Sequence, residues 1–208
     1  MNKKESFVNT LDLNQQKKAY DEVLAACIRN IKDSKGRTTI VAGLQILHKY
    51  FDSHNPILDI NASVPEQNDW TPLMFSTYYS KYEESKVLVS LGANLNYKTS
   101  KNLTFLHLAS NQGSIGLCDF YIKKGILIDS QDSSGITPLM MACESGNLDV
   151  VKFLLNHKAN YMLKDKEQKT CIDYCHKNNH EHIIKYLNFF YLNQSLDKKD
   201  VKKPIVKV

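Results

Sequence analysis

Apolar and polar residues alternate along the chain in a pattern that returns every 33 residues. A threonine followed by a short apolar stretch begins at positions 71, 104, 137 and 170, and a polar turn follows each stretch. The four tetrads are Thr71-Pro72-Leu73-Met74, Thr104-Phe105-Leu106-His107, Thr137-Pro138-Leu139-Met140 and Thr170-Cys171-Ile172-Asp173. A fixed period of this length indicates a repeat architecture, in which each unit buries its apolar face on its neighbours.

Within each unit the pattern predicts two short helices separated by turns. Counted from the threonine, offset 2 is Leu or Ile and offset 5 is a small residue, while offset 9 is Ser, Gly or Asn. The residue types at offset 9 are able to end a helix in the left-handed conformation. In the two central units, apolar residues at offsets 14, 17 and 18 share one face of a second helix. Threonine can cap the first helix, and proline is tolerated directly after it.

The repeating unit resembles the ankyrin repeat. The family's Thr-Pro-Leu start, Gly-Asn turn and Ala-Asn exit are matched best between Asp132 and Asn160, and Gly92-Ala93-Asn94-Leu95-Asn96 matches the exit of the preceding unit. The unit from Thr104 departs at the proline and at the Gly-Ala pair, and the unit from Thr170 departs further. The resemblance covers residues 59–190 and implies an all-α solenoid of four stacked helix-turn-helix units with β-turn tips.

The segments outside the repeats divide into a cap and two termini. Apolar residues at helical spacing between positions 15 and 52 predict a helical hairpin, so we assign residues 15–58 to an N-terminal cap that is a divergent repeat. The four repeats then occupy residues 59–192, and Asn188 is polar where earlier units are apolar, as a capping last repeat requires. Residues 1–14 are predicted to be flexible, and the basic residues 193–208 to be a disordered tail.

Composition and charge narrow the class of protein. The chain has 208 residues, 42% of them hydrophobic and 24% charged, which excludes a disordered or collagen-like protein. Its net charge of +5 is concentrated at the two ends, so the repeats themselves are close to neutral. No apolar run approaches the roughly 18 residues of a membrane span, and no secretory signal is recognisable. Five cysteines form an odd and sparse set, which favours reduced thiols in a cytoplasmic compartment.

No residue pattern of an enzyme stands out. A glycine-rich phosphate loop, a Gly-x-Ser-x-Gly elbow and a His-Glu-x-x-His motif are all absent, so we expect neither catalytic residues nor a cofactor. Five residues have the types that bind zinc: Cys171, Cys175, His176, His180 and His182. The repeat already explains Cys175 as its small buried residue and places His180 just after a turn, so the structural interpretation is favoured over a metal site. His107 stands where the resemblance implies an imidazole that joins neighbouring turns.

The resemblance also implies which positions contact a partner: the tip before each threonine and offsets 7 and 8 in the concave groove. The predicted binding residues are Trp70, Tyr78, Tyr79, Leu103, Asn111, Gln112, Ile136, Glu144, Lys169 and Lys177. Three large apolar tips flanked by tyrosines have the composition of an interaction patch. The alternative is that the tip side chains pack on their own turns.

We therefore predict a non-catalytic, monomeric protein that binds a partner protein and contacts no membrane. An inhibitor or regulatory subunit of an enzyme is an alternative that differs only in what the groove covers. Nucleic-acid binding through the lysine-rich ends is a weaker alternative, because no aromatic residues are interleaved with the lysines of the tail. A small ankyrin protein with an AT-rich coding bias is also compatible with an effector that an intracellular bacterium exports into a host cell.

Overall fold

The computed structural model describes residues 12–28, 40–51, 58–63 and 70–200, and this part of the chain forms ten α-helices and no strand. The helices are α1 Leu13–Ile28, α2 Ile40–Phe51, α3 Pro72–Tyr78, α4 Tyr82–Ser90, α5 Phe105–Asn111, α6 Ile115–Lys123, α7 Pro138–Glu144, α8 Leu148–Asn156, α9 Cys171–Lys177 and α10 Glu181–Asp200. The all-α class predicted from the sequence is confirmed.

Helices α3 to α10 form four pairs that follow the 33-residue period. The first helix of each pair has seven residues and begins directly after the threonine. At Thr137 the backbone is extended (φ −98°, ψ 163°), and the side chain accepts a hydrogen bond from the Met140 N–H. Pro138 follows at the first helical position, where its missing N–H costs nothing. The threonine therefore caps the helix as predicted.

A residue with positive φ ends each first helix. These residues have φ between 55° and 76° and are Ser80, Gly113, Gly146 and Asn179. Offset 9 thus adopts the predicted left-handed conformation, and the chain reverses there into the second helix of the pair. A Cβ at position 146 would also lie 2.7 Å from Cε1 of His180 in the next unit, so the His180 ring would have to shift to admit any other residue.

The pairs stack so that first helices pack on first helices and second helices on second helices. Helix α5 lies between α3 and α7, α7 packs on α9, and α6 packs on α8. One continuous core runs through the stack, and the offset 17 side chains are at its centre: Leu88, Tyr121, Leu154 and Leu187, all fully buried. Helices this short are marginal alone, so burial against neighbouring pairs supplies most of their stability.

The N-terminal cap continues this stack. Helices α1 and α2 pack on each other, α1 packs on α3 and α2 packs on α4, so the hairpin occupies the place of a preceding repeat. Its buried side chains include Val23, Cys27, Leu47 and Phe51. The predicted hairpin between positions 15 and 52 is therefore present, and its first helix begins at Leu13, two residues earlier than predicted.

Asp12 explains where α1 begins. Its carboxylate accepts a hydrogen bond from the Gln15 N–H at 2.8 Å, and the Gln15 side chain accepts one from the Asp12 N–H at 3.0 Å. This reciprocal pair is a capping box, which satisfies two N–H groups that have no partner inside the helix. Residues 12–14, which were predicted to be flexible, therefore form the cap and the start of α1, and residues 1–11 of the predicted flexible segment lie outside the described residues.

Replacing Asp12 by alanine is expected to lower the free energy of unfolding by about 1 kcal/mol, because the Gln15 N–H loses its acceptor. Urea denaturation of the two proteins measures the difference. The matched control is Asp12→Asn, which keeps a side-chain oxygen and is expected to stay close to the parent protein. Equal losses in both variants would contradict a capping role.

The C-terminal helix is longer than the repeat pattern predicts. Helix α10 continues to Asp200, eight residues into the segment predicted to be a disordered tail, and residues 201–208 lie outside the described residues. The physical reason is that neither glycine nor proline occurs between Glu181 and Asp200 to interrupt the helix. None of the described helices, α10 included, combines the length and the apolar character needed to cross a bilayer.

Candidate functional site

Four aromatic side chains gather at the N-terminal end of the row of first helices. We call Trp70, Phe75, Tyr78 and Tyr79 the aromatic cluster. The Trp70 ring meets the Phe75 and Tyr78 rings edge to face, with centroids 5.4 and 5.1 Å apart, and Tyr78 meets Tyr79 at 5.3 Å. Phe75 is buried beneath the others, whereas Tyr78 and Tyr79 are 36% and 45% exposed. Edge-to-face packing holds these rings in place before any partner arrives.

The three apolar tips do not form the solvated strip that the sequence predicts. Trp70, Leu103 and Ile136 are all half-buried and pack against the core. The tips of Leu103 and Ile136 close on themselves: the Thr99 N–H donates to the Leu103 carbonyl, and the Asp132 N–H donates to the Ile136 carbonyl. The side chains of Leu103 and Ile136 pack against the core of the stack, so they offer less surface to a partner than the sequence predicts, and their contact with a partner stays a prediction. The Trp70 ring packs on α3, the helix that follows it, through contacts with Phe75 and Tyr78.

The middle and the C-terminal part of the groove are polar and bonded within the protein. The Ser145 hydroxyl donates to the Asn111 side chain at 2.7 Å, and Lys177 pairs with Glu144 at 3.0 Å. The Asn178 side chain donates to the Glu144 carbonyl at 2.7 Å. Gln112 is half-buried at the end of α5. Apart from Gln112, these side chains bridge neighbouring repeats, so a partner would have to compete with the existing hydrogen bonds to reach them.

Lys169, the fourth predicted tip, also has a partner. Its ammonium group pairs with the Glu167 carboxylate, and this pairing raises the pKa of Lys169. The same tip is held by the buried Asp165, which accepts N–H bonds from Glu167 and Lys169 and a 2.6 Å bond from the Tyr174 hydroxyl. The positive charge of Lys169 is therefore partly neutralised.

A cleft beside the aromatic cluster was not predicted from the sequence. It has a volume of about 160 Å³ and lies between the tip of the first repeat and the tip of the second, lined by Trp70, Thr99, Ser100, Lys101 and Leu103. Only Trp70 and Leu103 among these residues were predicted to bind a partner. The cleft adjoins the exposed tyrosines, so it extends the aromatic surface toward the tips.

His107 joins two neighbouring turns, as the resemblance implies. The ring is fully buried, and its Nδ1 accepts a hydrogen bond from the Thr104 N–H at 3.2 Å while its Nε2 lies 3.0 Å from the Ile136 carbonyl. Since Nδ1 is an acceptor, Nε2 carries the proton and donates to Ile136. Burial is the main cause that lowers the pKa of His107. The imidazole therefore has a structural role, and its burial makes it inaccessible from solvent.

The five residues with zinc-binding types are spread over different environments. Cys171 and Cys175 are buried, His176 is exposed, and His180 and His182 approach the carbonyls of Glu144 and Gly146. Cys143 is a neighbour that the sequence cluster missed: hydrogen bonding with Cys171 and Cys175, together with burial, raises the pKa of Cys143 well above its usual value. Among the described residues, no three His, Cys, Asp or Glu side chains converge in a way that could hold a metal ion.

Comparison of the sequence with known proteins finds similarity to ankyrin repeats. A family model described as Ankyrin repeats (3 copies) matches residues 106–200. The palmitoyltransferase ZDHHC17 of Rattus norvegicus is 32% identical over 110 residues, which cover 52% of this chain and 18% of that protein. Delta-latroinsectotoxin-Lt1a of Latrodectus tredecimguttatus is 37% identical over 90 residues, which cover 43% of this chain and 7% of that protein.

A third relative is also similar to this chain over only part of its length. The palmitoyltransferase ZDHHC13 of Mus musculus is 36% identical over 93 residues, which cover 44% of this chain and 15% of that protein. The chain spans less than a fifth of the length of each of these relatives. The similarity therefore concerns a segment of each relative, and the activities in their names belong to the whole proteins.

Proposed function

Residues 106–200 belong to the ankyrin-repeat family, whose repeats are protein-interaction modules, and on this premise we propose that the chain is a non-catalytic module that binds a partner protein. The contact surface is the aromatic cluster with the cleft beside it. Stacked repeats create an extended surface on the side of their first helices, and proteins of this architecture bind partners there.

The single observation that carries this proposal is the contrast along the row of first helices. In the second, third and fourth repeats the groove positions are polar, and all of them except Gln112 take part in bonds between repeats. In the first repeat the same offsets are Tyr78 and Tyr79, both exposed and already ordered by ring contacts. Tyrosine and tryptophan dominate binding hot spots because they bury a large area at a small cost in conformational entropy.

The state of the cysteines supports a reducing compartment for this function. All five cysteines are free and buried, although Cys143 lies within hydrogen-bonding reach of Cys171 and Cys175. Cysteines that form no disulfides are typical of cytoplasmic proteins. We therefore place the interaction in the cytoplasm.

The experiment that tests the proposal removes the two exposed tyrosines together. The variant Tyr78→Ser/Tyr79→Ser is expected to bind a partner captured by the parent protein at least tenfold more weakly, because the loss of two hot-spot aromatics commonly costs that much. Affinity capture with both proteins identifies the partner, and calorimetric titration with the purified partner measures the dissociation constants. Trp70 is left in place because it is half-buried and its removal would also affect folding.

The matched control is Tyr82→Ser. Tyr82 is 38% exposed but lies on a second helix, α4, where its ring faces Phe120 of α6. This variant is expected to bind like the parent protein. Weakening of similar size in both variants, or in neither, would contradict the proposed surface, and thermal melts of all three proteins show whether the fold is retained.

A further inference from the structure

The tip between the first and second repeats differs chemically from the two tips that follow it. Five residues before the threonine, the later tips carry Asp132 and Asp165, and each carboxylate accepts two N–H bonds of 2.8 Å from its own tip. The first of the three tips has Thr99 instead, whose hydroxyl accepts the Leu103 N–H at 3.1 Å. Thr99 closes the turn in the same way but brings no negative charge.

This exchange leaves two lysines at a tip that has no carboxylate of its own. Lys98 and Lys101 are both exposed, and neither makes an ion pair with any carboxylate in the described part of the chain. By contrast, the tip at residues 164–169 sets Asp165 and Glu167 against its lysines. The tip at residues 98–103 therefore carries two lysines and no carboxylate, whereas the tip at residues 164–169 has two carboxylates for its three lysines.

The same lysine-bearing tip forms one wall of the cleft beside the aromatic cluster. Lys101 lines the cleft with Trp70 and Leu103, and the tip is held in place by a hydrogen bond from the Ser133 N–H to the Lys101 carbonyl at 2.9 Å. A volume of about 160 Å³ is well below the roughly 300–1,000 Å³ of sites for small molecules. It suits one apolar side chain that is presented by a larger partner.

We propose that this cleft and the two lysines together recognise an acidic segment of a partner protein. The segment places one apolar side chain between Trp70 and Leu103 and sets carboxylates beside Lys98 and Lys101. This inference rests on the proposed protein-binding function and adds the chemistry of the partner. The apolar contact supplies affinity, and the lysines select acidic sequences and speed association, as complementary charge does at protein interfaces.

The test is a selection of random twelve-residue peptides displayed on phage against the full chain. Selected peptides are expected to share an aliphatic or aromatic residue flanked by Asp or Glu. Their binding is followed by the fluorescence of Trp70, the single tryptophan of the chain, whose emission shifts when the cleft is filled. Affinity is expected to fall as salt is raised from 50 to about 500 mM, because the Debye length then shortens to a few ångströms.

Charge reversal gives the decisive comparison. The variant Lys98→Glu/Lys101→Glu is expected to bind a selected acidic peptide at least tenfold more weakly, while Lys164→Glu/Lys166→Glu, the same change at another tip, is expected to bind it like the parent protein. A peptide whose acids are replaced by lysine is expected to recover binding to the first variant. This rescue separates charge recognition from damage to the fold.

Several results would overturn the inference. These are a neutral or basic consensus among the selected peptides, no enrichment over the wash control, equal weakening in the two charge-reversed variants, or competition by a random DNA duplex as strong as that by the peptide. Peptides that need Tyr78 and Tyr79 but tolerate Lys98→Glu/Lys101→Glu would leave the protein-binding function in place and reject its acidic partner. The two proposals therefore fail separately.

Discussion

Replacing Tyr121 by alanine is expected to lower the free energy of unfolding by about 3–5 kcal/mol, the range of aromatic truncations in protein cores. Tyr121 is fully buried on α6, between the rings of Phe105 and Phe120 with centroids 5.5 and 5.3 Å away. Its hydroxyl is hydrogen-bonded to that of Thr77 on α3. Alanine therefore leaves a cavity between the first and second repeats and removes a hydrogen bond between them.

The control Tyr121→Phe separates the ring from the hydroxyl. It is expected to cost only about 1 kcal/mol, because the Thr77 hydroxyl keeps its 2.7 Å bond to the Leu73 carbonyl and is not left without a partner. Urea denaturation measures both changes. A loss in Tyr121→Ala no larger than that in Tyr121→Phe would show that the cavity collapses at little cost and would contradict the prediction.

Tyr121 also shows what a repeat period can and cannot predict. The 33-residue period places it at offset 17, where the other units have leucine, and so predicts that it is buried. The period does not predict the partner of its hydroxyl, because Thr77 is 44 residues away and belongs to a different unit. Buried hydroxyls need a bond to a specific neighbour, and that neighbour depends on how two units pack.

The candidate surface also has some features that the sequence predicts and others that depend on how the chain folds. Exposure of Tyr78 and Tyr79 could be predicted, because their offsets lie on the open side of the first helices. Burial of Leu103 and Ile136 could not be predicted, because it depends on backbone bonds that close each tip. The sequence does contain a signal for the charge beside the cleft: Thr99 stands at the offset where the two following units have aspartate. Its meaning becomes clear only once the carboxylates of Asp132 and Asp165 are seen to close their tips.

The alternative of nucleic-acid binding has little support in the described repeats. The ion pairs Lys177–Glu144, Lys169–Glu167 and Lys123–Asp119 balance several lysines of the body. A duplex-binding face would instead present lysines along a continuous stripe that follows the phosphates. The unbalanced pair at residues 98 and 101 is confined to one tip, which is better matched to a short acidic segment than to a nucleic-acid backbone.

Replacing His107 by leucine is expected to lower the free energy of unfolding by about 1–3 kcal/mol, because the buried Thr104 N–H loses its acceptor and the Ile136 carbonyl keeps only the Asp132 N–H as a donor. The imidazole also predicts a pH dependence. Burial lowers its pKa in the folded protein below the value of about 6.5 in the unfolded chain, so the unfolded chain takes up the proton first. Stability is therefore complete above about pH 6.5 and declines as the pH falls toward the folded pKa.

The slope contributed by His107 below about pH 6.5 is at most about 1.4 kcal/mol per pH unit, and His107→Leu is expected to lose that contribution. Urea denaturation between pH 5 and 8 measures the slope for both proteins. The matched control is His157→Leu, since His157 is exposed at the end of α8 and bonds only a carbonyl one turn earlier. Parallel profiles for the parent protein and His107→Leu would mean that other groups carry the acid sensitivity. A steeper profile for the parent protein identifies His107 as the group whose neutral form joins the second and third repeats.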